Sequence, residues 1–142
     1  MLSMIECDLE ISNYSISQYD IDAILMIGKE MLNKPIELLD GVEEVLENLQ
    51  DRYKLIVATK GDLLDQERKL EKSGLLKYFH HIEVMSEKKE MDYKKLLKHL
   101  DINSNELLMI GNSLKSDVLP LLKIGASAIH IPFHITWSHE EV

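Results

Sequence analysis

The stretch Leu107-Leu-Met-Ile-Gly-Asn-Ser-Leu-Lys-Ser-Asp117 restricts the fold more than any other part of the chain. Four apolar residues running into Gly111 read as a buried parallel strand that ends in a tight turn, with a helix behind it. Asn112, Ser113 and Asp117 then stand just past the strand's carboxyl end, the edge at which open α/β sheets bind ligands. Asn112 and Asp117 can face one point as oxygen ligands for a hard cation such as Mg²⁺. A plainer role is also open to the turn, since Ser113 or Asn112 can cap the helix that follows.

Two upstream segments repeat the arrangement. Lys54-Leu-Ile-Val-Ala-Thr-Lys-Gly61 is a β-branched strand that ends on a small polar residue, with glycine marking the turn. Thr59 offers a hydroxyl there, and the backbone N–H groups of Lys60 and Gly61 can cradle a phosphate oxygen. The strand His81-Ile-Glu-Val-Met85 leads into Ser86-Glu-Lys-Lys-Glu-Met-Asp-Tyr93. That places Lys88 or Lys89 at a third strand end, where a fixed positive charge stabilises a transferring phosphoryl group.

In this order and spacing, over roughly residues 36–133, the sequence resembles the haloacid dehalogenase superfamily of Mg²⁺-dependent hydrolases and phosphatases. Thr59 matches the family's second motif, Lys88 (with Lys89 the alternative) the third, and Gly111-Asn-Ser-Leu-Lys-Ser-Asp117 the fourth. The resemblance implies that Thr59 and Lys88 are catalytic and that Thr59, Lys60 and Gly61 bind the phosphoryl group. It also implies that Asn112 and Asp117 hold Mg²⁺, and that the substrate is a small phosphorylated metabolite. Asn112 stands where the family often has an aspartate, which lowers the charge offered to the metal.

The family's first motif, an apolar strand ending in Asp-x-Asp, has no match here. The nucleophile of covalent phosphoryl transfer comes from that motif. Asp20-Ile-Asp22 has the spacing, but Ser17 three residues before Asp20 predicts a helix capping box instead. Asp8-Leu-Glu10 lies in a stretch where Leu2, Ile5 and Leu9 recur at helical spacing. The chain therefore resembles a family member without its first strand, its nucleophile and the front half of its cap: a cloned fragment, a truncated product or a late start. In the family that strand lies mid-sheet, between those ending at Thr59 and Gly111. Its loss strips partners from two strands and predicts homo-oligomers or strand exchange.

The expected fold is α/β, a Rossmann-like three-layer parallel sheet over residues 36–142, with a partial helical cap at residues 1–35. Helices are expected at 2–11, 17–32, 41–50, 62–73, 90–100 and 114–124, and strands at 54–59, 81–85, 107–110 and 127–131. Val42, Val45, Leu46 and Leu49 should form one inward face. The methionines of 26–31 should fill the cap's core.

Net charge is −9 over 142 residues, with no basic run longer than a pair, which argues against nucleic acid as a partner. Such a surface repels a phosphorylated substrate unless metal and Lys88 offset it locally. No apolar run approaches a membrane span, and the single Cys7 points to a reducing cytoplasm. No histidine pair reads as the helical couple of a zinc site, so no zinc role is expected. His134, Trp137 and His139 belong to the tail.

Three functions follow from this reading. The chain is a phosphatase-type hydrolase without its nucleophile and inactive alone, a non-catalytic phosphate-binding or interaction module, or a truncation product with no role of its own.

Overall fold

Met1–Glu37 forms one unit and Leu38–Val142 another, in a computed structural model that describes residues 2–133. His134, Trp137 and His139 lie outside the described residues.

The first unit is a pair of helices, α1 (Leu2–Ile11) and α2 (Gln18–Asn33). Between them Asn13 and Tyr14 take φ of 50° and 61°, left-handed backbone that asparagine tolerates well and tyrosine poorly. Ser17 Oγ accepts from the Asp20 N–H at 3.2 Å, and Asp20 Oδ2 accepts from the Ser17 N–H at 3.3 Å. This reciprocal capping box accounts for Asp20 without chemistry, and Asp8 lies within α1. The expected methionine core is not formed: Met26 and Met31 are 61% and 63% exposed. Two helices share a single seam, so apolar residues off that seam stay uncovered.

The second unit alternates helix and strand. Helix α3 (Val42–Gln50) starts after Gly41 at φ 78°, a backbone that glycine adopts without strain. Val42, Leu46 and Leu49 are half-buried, but Val45, expected to face inward, is exposed. Helix α4 (Leu63–Ser73) is capped by Asp62, whose Oδ1 accepts from the Asp65 N–H at 3.1 Å.

Strand β1 (Ile56–Thr59) pairs in parallel with β2 (His81–Val84), placing Thr59 opposite Val84. After helix α5 (Glu90–Leu100), strand β3 (Leu108–Gly111) pairs in parallel with β4 (Ser127–His130), placing Gly111 opposite His130. Among the described residues no ladder joins β1 to β3, so the sheet is divided into two pairs.

One core serves both pairs. Tyr93 and Leu96 of α5 and Leu121 of α6 (Leu119–Lys123) pack with Met85 and Ala126 against Ala58, Met109 and Ala128. Full burial of side chains such as Tyr93 and Leu121 contributes roughly 1.5–3 kcal/mol each. Strand alternation turns Leu108, Ile110 and Ile129 the other way, where they are 51%, 44% and 47% exposed. The run from Leu107 is therefore not buried on both faces as its composition suggested, because the face away from α5 and α6 is half open.

The single helix expected over 114–124 is also broken. Leu114–Val118 forms one π-helical turn, and α6 restarts at Leu119 with Pro120 in its first turn. Proline has no N–H to continue the ladder and suits only a helix start. The wide turn buries Ser116 and Asp117.

Candidate functional site

Three loops leave the carboxyl ends of β1, β2 and β3. The first carries Thr59, Lys60 and Gly61, with Gly61 at φ 111°, a backbone essentially reserved for glycine. Thr59 Oγ1 donates to the Lys60 carbonyl at 3.2 Å. Lys60 reaches across, and its Nζ donates to Ser116 Oγ at 2.9 Å.

The second loop holds Lys88 at φ 55°. A lysine in the left-handed region is uncommon, and such strain persists only where surrounding contacts impose it. The contact here is with Asp117: Lys88 Nζ donates to Asp117 Oδ1 at 2.6 Å, with side chains only 11% and 5% exposed. Lys89 turns outward to Glu87 and is 74% exposed. Its hydrogen bond to that carboxylate holds it above its usual pKa. Of the two lysines, Lys88 is the one that meets Asp117.

The third loop is built around the Asp117 carboxylate. Its Oδ2 accepts from the Ser113 N–H at 3.1 Å, and Ser113 Oγ accepts from the Ser116 N–H at 3.0 Å. A Cβ at Gly111 would stand 2.3 Å from Asp117 Oδ2, so only glycine allows the strand to approach this closely. Tyr93 Oη donates to the Ser116 carbonyl at 2.8 Å, fixing the loop to the core.

Between these loops lies a cleft of about 360 Å³ lined by Lys60, Lys88, Lys89 and Lys115, with Glu87 its one acid. In a chain of net charge −9, four lysines thus gather around a single lining carboxylate. Of the residues expected to act, Lys60, Lys88 and Asp117 come together. Thr59 and Gly61 stand beside the cleft without lining it. Asn112 is exposed, and its backbone carbonyl accepts from His130 Nε2 at 3.1 Å. The ammonium of Lys60, with Lys115 and Ser116, was not anticipated from the sequence. Its signal was position, as Lys60 follows Thr59 directly at a strand end.

The donors fit a hard cation. Each Asp117 oxygen has one protein partner, and a carboxylate oxygen has a second lone pair to offer. Mg²⁺ is typically held by one or two carboxylates, with water and substrate phosphate completing its shell. Asp117 offers one such carboxylate, while nothing among the described contacts joins the exposed Asn112 side chain to it.

A parallel α/β unit with polar loops gathered at its strand ends defines a ligand-binding class rather than one protein. Comparison narrows the class: the model of haloacid dehalogenase-like hydrolases matches residues 4–131, and the chain belongs to that family. The crystal structure of a haloacid dehalogenase-like hydrolase from Xanthomonas campestris is 41% identical, with a TM-score of 0.83 over 96% of this chain and 61% of that one. The putative HAD-hydrolase YfnB of Bacillus subtilis is 27% identical over 111 residues, 70% of this chain and 46% of YfnB. A HAD phosphatase from Thermococcus onnurineus is 26% identical, with a TM-score of 0.62 over 72% of this chain and 50% of that one. The chain thus spans about half to three-fifths of these relatives' lengths. Among the described residues no helix is long and apolar enough to cross a membrane.

Proposed function

We propose that the lysine-lined cleft binds the phosphate of a small phosphorylated metabolite together with Mg²⁺, in a phosphate-ester hydrolase. The observation that carries this reading is the buried Lys88–Asp117 pair inside a basic cleft of an acidic chain. Family membership and the likeness to a HAD phosphatase agree with it, and a YfnB structure is described as bound to magnesium.

Each group then has a part. Lys88 balances charge between Asp117 and the phosphoryl oxygens, where a preorganised cation is most effective. Lys60 and Lys115 draw the anion in. Thr59 exchanges its bond to the Lys60 carbonyl for one to a phosphoryl oxygen, beside the Lys60 and Gly61 amides. Asp117 and Asn112 would hold Mg²⁺, which supplies Lewis-acid neutralisation of the phosphoryl group. With asparagine in place of a second carboxylate, metal affinity is reduced.

Hydrolysis through a covalent intermediate needs a carboxylate nucleophile. Among the described residues none stands at the end of a strand between β1 and β3, and Asp8, Asp20 and Asp22 all lie in helices. An apolar strand ending in Asp-x-Asp, seated between β1 and β3, would complete both the sheet and the site. Without it these residues bind phosphate and do not turn over, and the open edges favour pairing between copies. The exposed free Cys7 suits a reducing cytoplasm, where we place the protein.

The test is hydrolysis of p-nitrophenyl phosphate with Mg²⁺ and an EDTA control, by the chain alone and with a synthetic strand ending in Asp-x-Asp. Turnover confined to the combination with Mg²⁺ is expected, and metal-dependent turnover by the chain alone would refute the missing-nucleophile part. Phosphate binding with no turnover in any combination would favour the second reading, a non-catalytic phosphate-binding module. The lysine cleft, in place without a nucleophile, gives that reading its basis.

A further inference from the structure

Strand β2 and helix α5 bring together three side chains that the phosphate cleft does not use. Residues two apart on a strand share a face, so His81 and Glu83 project side by side, and His99, next to last in α5, meets them. Glu83 Oε2 lies 3.6 Å from His81 Nε2 and 3.4 Å from His99 Nδ1. The three donor atoms all fall within 4.8 Å of one another. The two imidazole rings are 5.8 Å apart and tilted by 53°.

The spacing is informative. At 3.4–3.6 Å the nitrogens stand at or beyond the limit of a good hydrogen bond to the carboxylate. His81 Nε2 is itself buried and has no hydrogen-bond partner, a condition that burial normally penalises. A tetrahedral Zn²⁺ with bonds of about 2.0–2.2 Å holds neighbouring donors about 3.3–3.5 Å apart. One ion at the centre would therefore satisfy the orphaned nitrogen and join all three groups.

We propose that His81, Glu83 and His99 form a site for a divalent transition metal, Zn²⁺ by preference. Two imidazoles and one carboxylate suit Zn²⁺, whereas Mg²⁺ favours oxygen donors in near-octahedral array. His99 is 66% exposed and Glu83 25%, so metal enters from solvent and a fourth position stays open to water or an added ligand. The site joins the edge of β2 to the last turn of α5, so metal stabilises that contact. It is independent of phosphate binding in the cleft.

The test uses the untagged, metal-stripped full chain. Titration calorimetry with Zn²⁺ should show one tight equivalent, Co²⁺ should give the strong visible absorption of tetrahedral coordination, and Zn²⁺ should raise the melting temperature. His99→Ala alters an exposed side chain and should leave the far-ultraviolet circular dichroism unchanged. It and Glu83→Gln should each weaken Zn²⁺ by more than about tenfold, since even outer-shell losses weaken metal about 10- to 100-fold. His130→Ala, outside the cluster, should bind as the parent does. Absence of a tight equivalent in the parent, or unchanged Zn²⁺ affinity and Co²⁺ spectrum in folded His99→Ala, would overturn the proposal.

Discussion

Strand β2 serves two polar clusters of different construction. Beyond its carboxyl end, Lys88 is buried against Asp117 in a cleft with three further lysines. Along its body, His81 and Glu83 face His99, and the His81 nitrogen is left without a hydrogen-bond partner. In the first cluster every charge meets a protein group, so it is ordered before any ligand arrives. The second is held at spacings too long for good hydrogen bonds and is completed only by something between its members. The difference teaches where each ligand's binding energy goes. The proposed phosphate would meet a site already organised, whereas a metal ion would supply the organisation itself.

The comparison breaks most visibly at Lys88. In the chain completed by a strand ending in Asp-x-Asp, Lys88→Ala should lower turnover about 10²–10³-fold. It should also destabilise the fold by roughly 3–5 kcal/mol, because Asp117 is left as an uncompensated buried charge. Adding Asp117→Asn to Lys88→Ala should restore much of the stability in urea denaturation but none of the phosphate binding. Full stability of Lys88→Ala alone would show that the pair is more hydrated than its burial indicates.

A smaller effect is expected from Gly111→Ala. The new Cβ meets Asp117 Oδ2 at 2.3 Å, and relief by displacing the carboxylate should cost about 1–3 kcal/mol. Phosphate binding should fall with it while the histidine cluster keeps its metal. Tyr93→Phe sharpens the same contrast, since it removes the hydroxyl that donates to the Ser116 carbonyl. The loss should be about 0.5–1.5 kcal/mol, the net worth of a typical hydrogen bond.

The smallest effect lies away from both clusters. Hydrogen bonds from Tyr78 and then Lys77 hold the Glu43 carboxyl below its ordinary 4.5, and Lys69 holds Asp65 below its ordinary 3.8. A carboxyl lowered in the folded state adds stability that is fully present above its unfolded value and lost as pH falls through the folded one. Stability should therefore decline on acidification below about pH 4.5, and Glu43→Gln should flatten that decline modestly. A midpoint of urea unfolding measured between pH 3 and 7 checks it.

The strand-end positions around the cleft were legible because each follows an apolar run in chain order, whereas the Lys60 ammonium, Lys115 and Ser116 were not. Lys60 comes after one strand, Lys88 after the next, and Asp117 after Gly111. Helix α2 could be read as well, its start marked by Ser17 and Asp20, and the C-cap of α4 by Gly74 at φ 73°. Features set by tertiary neighbours were not legible. Nothing local says that Leu108 and Ile110 would lose cover on one face, or that a π-helical turn would precede Pro120. The histidine cluster was hidden for the same reason: His99 meets Glu83 only because α5 folds back along β2.

The most direct measurement of the account is a phosphate titration by calorimetry in the presence of Mg²⁺, on the parent chain, Lys88→Ala and His99→Ala. The parent and His99→Ala should bind inorganic phosphate alike, and Lys88→Ala should not. Equal affinity in all three, or loss in His99→Ala with Lys88→Ala unaffected, would contradict the assignment of phosphate to the strand-end cleft.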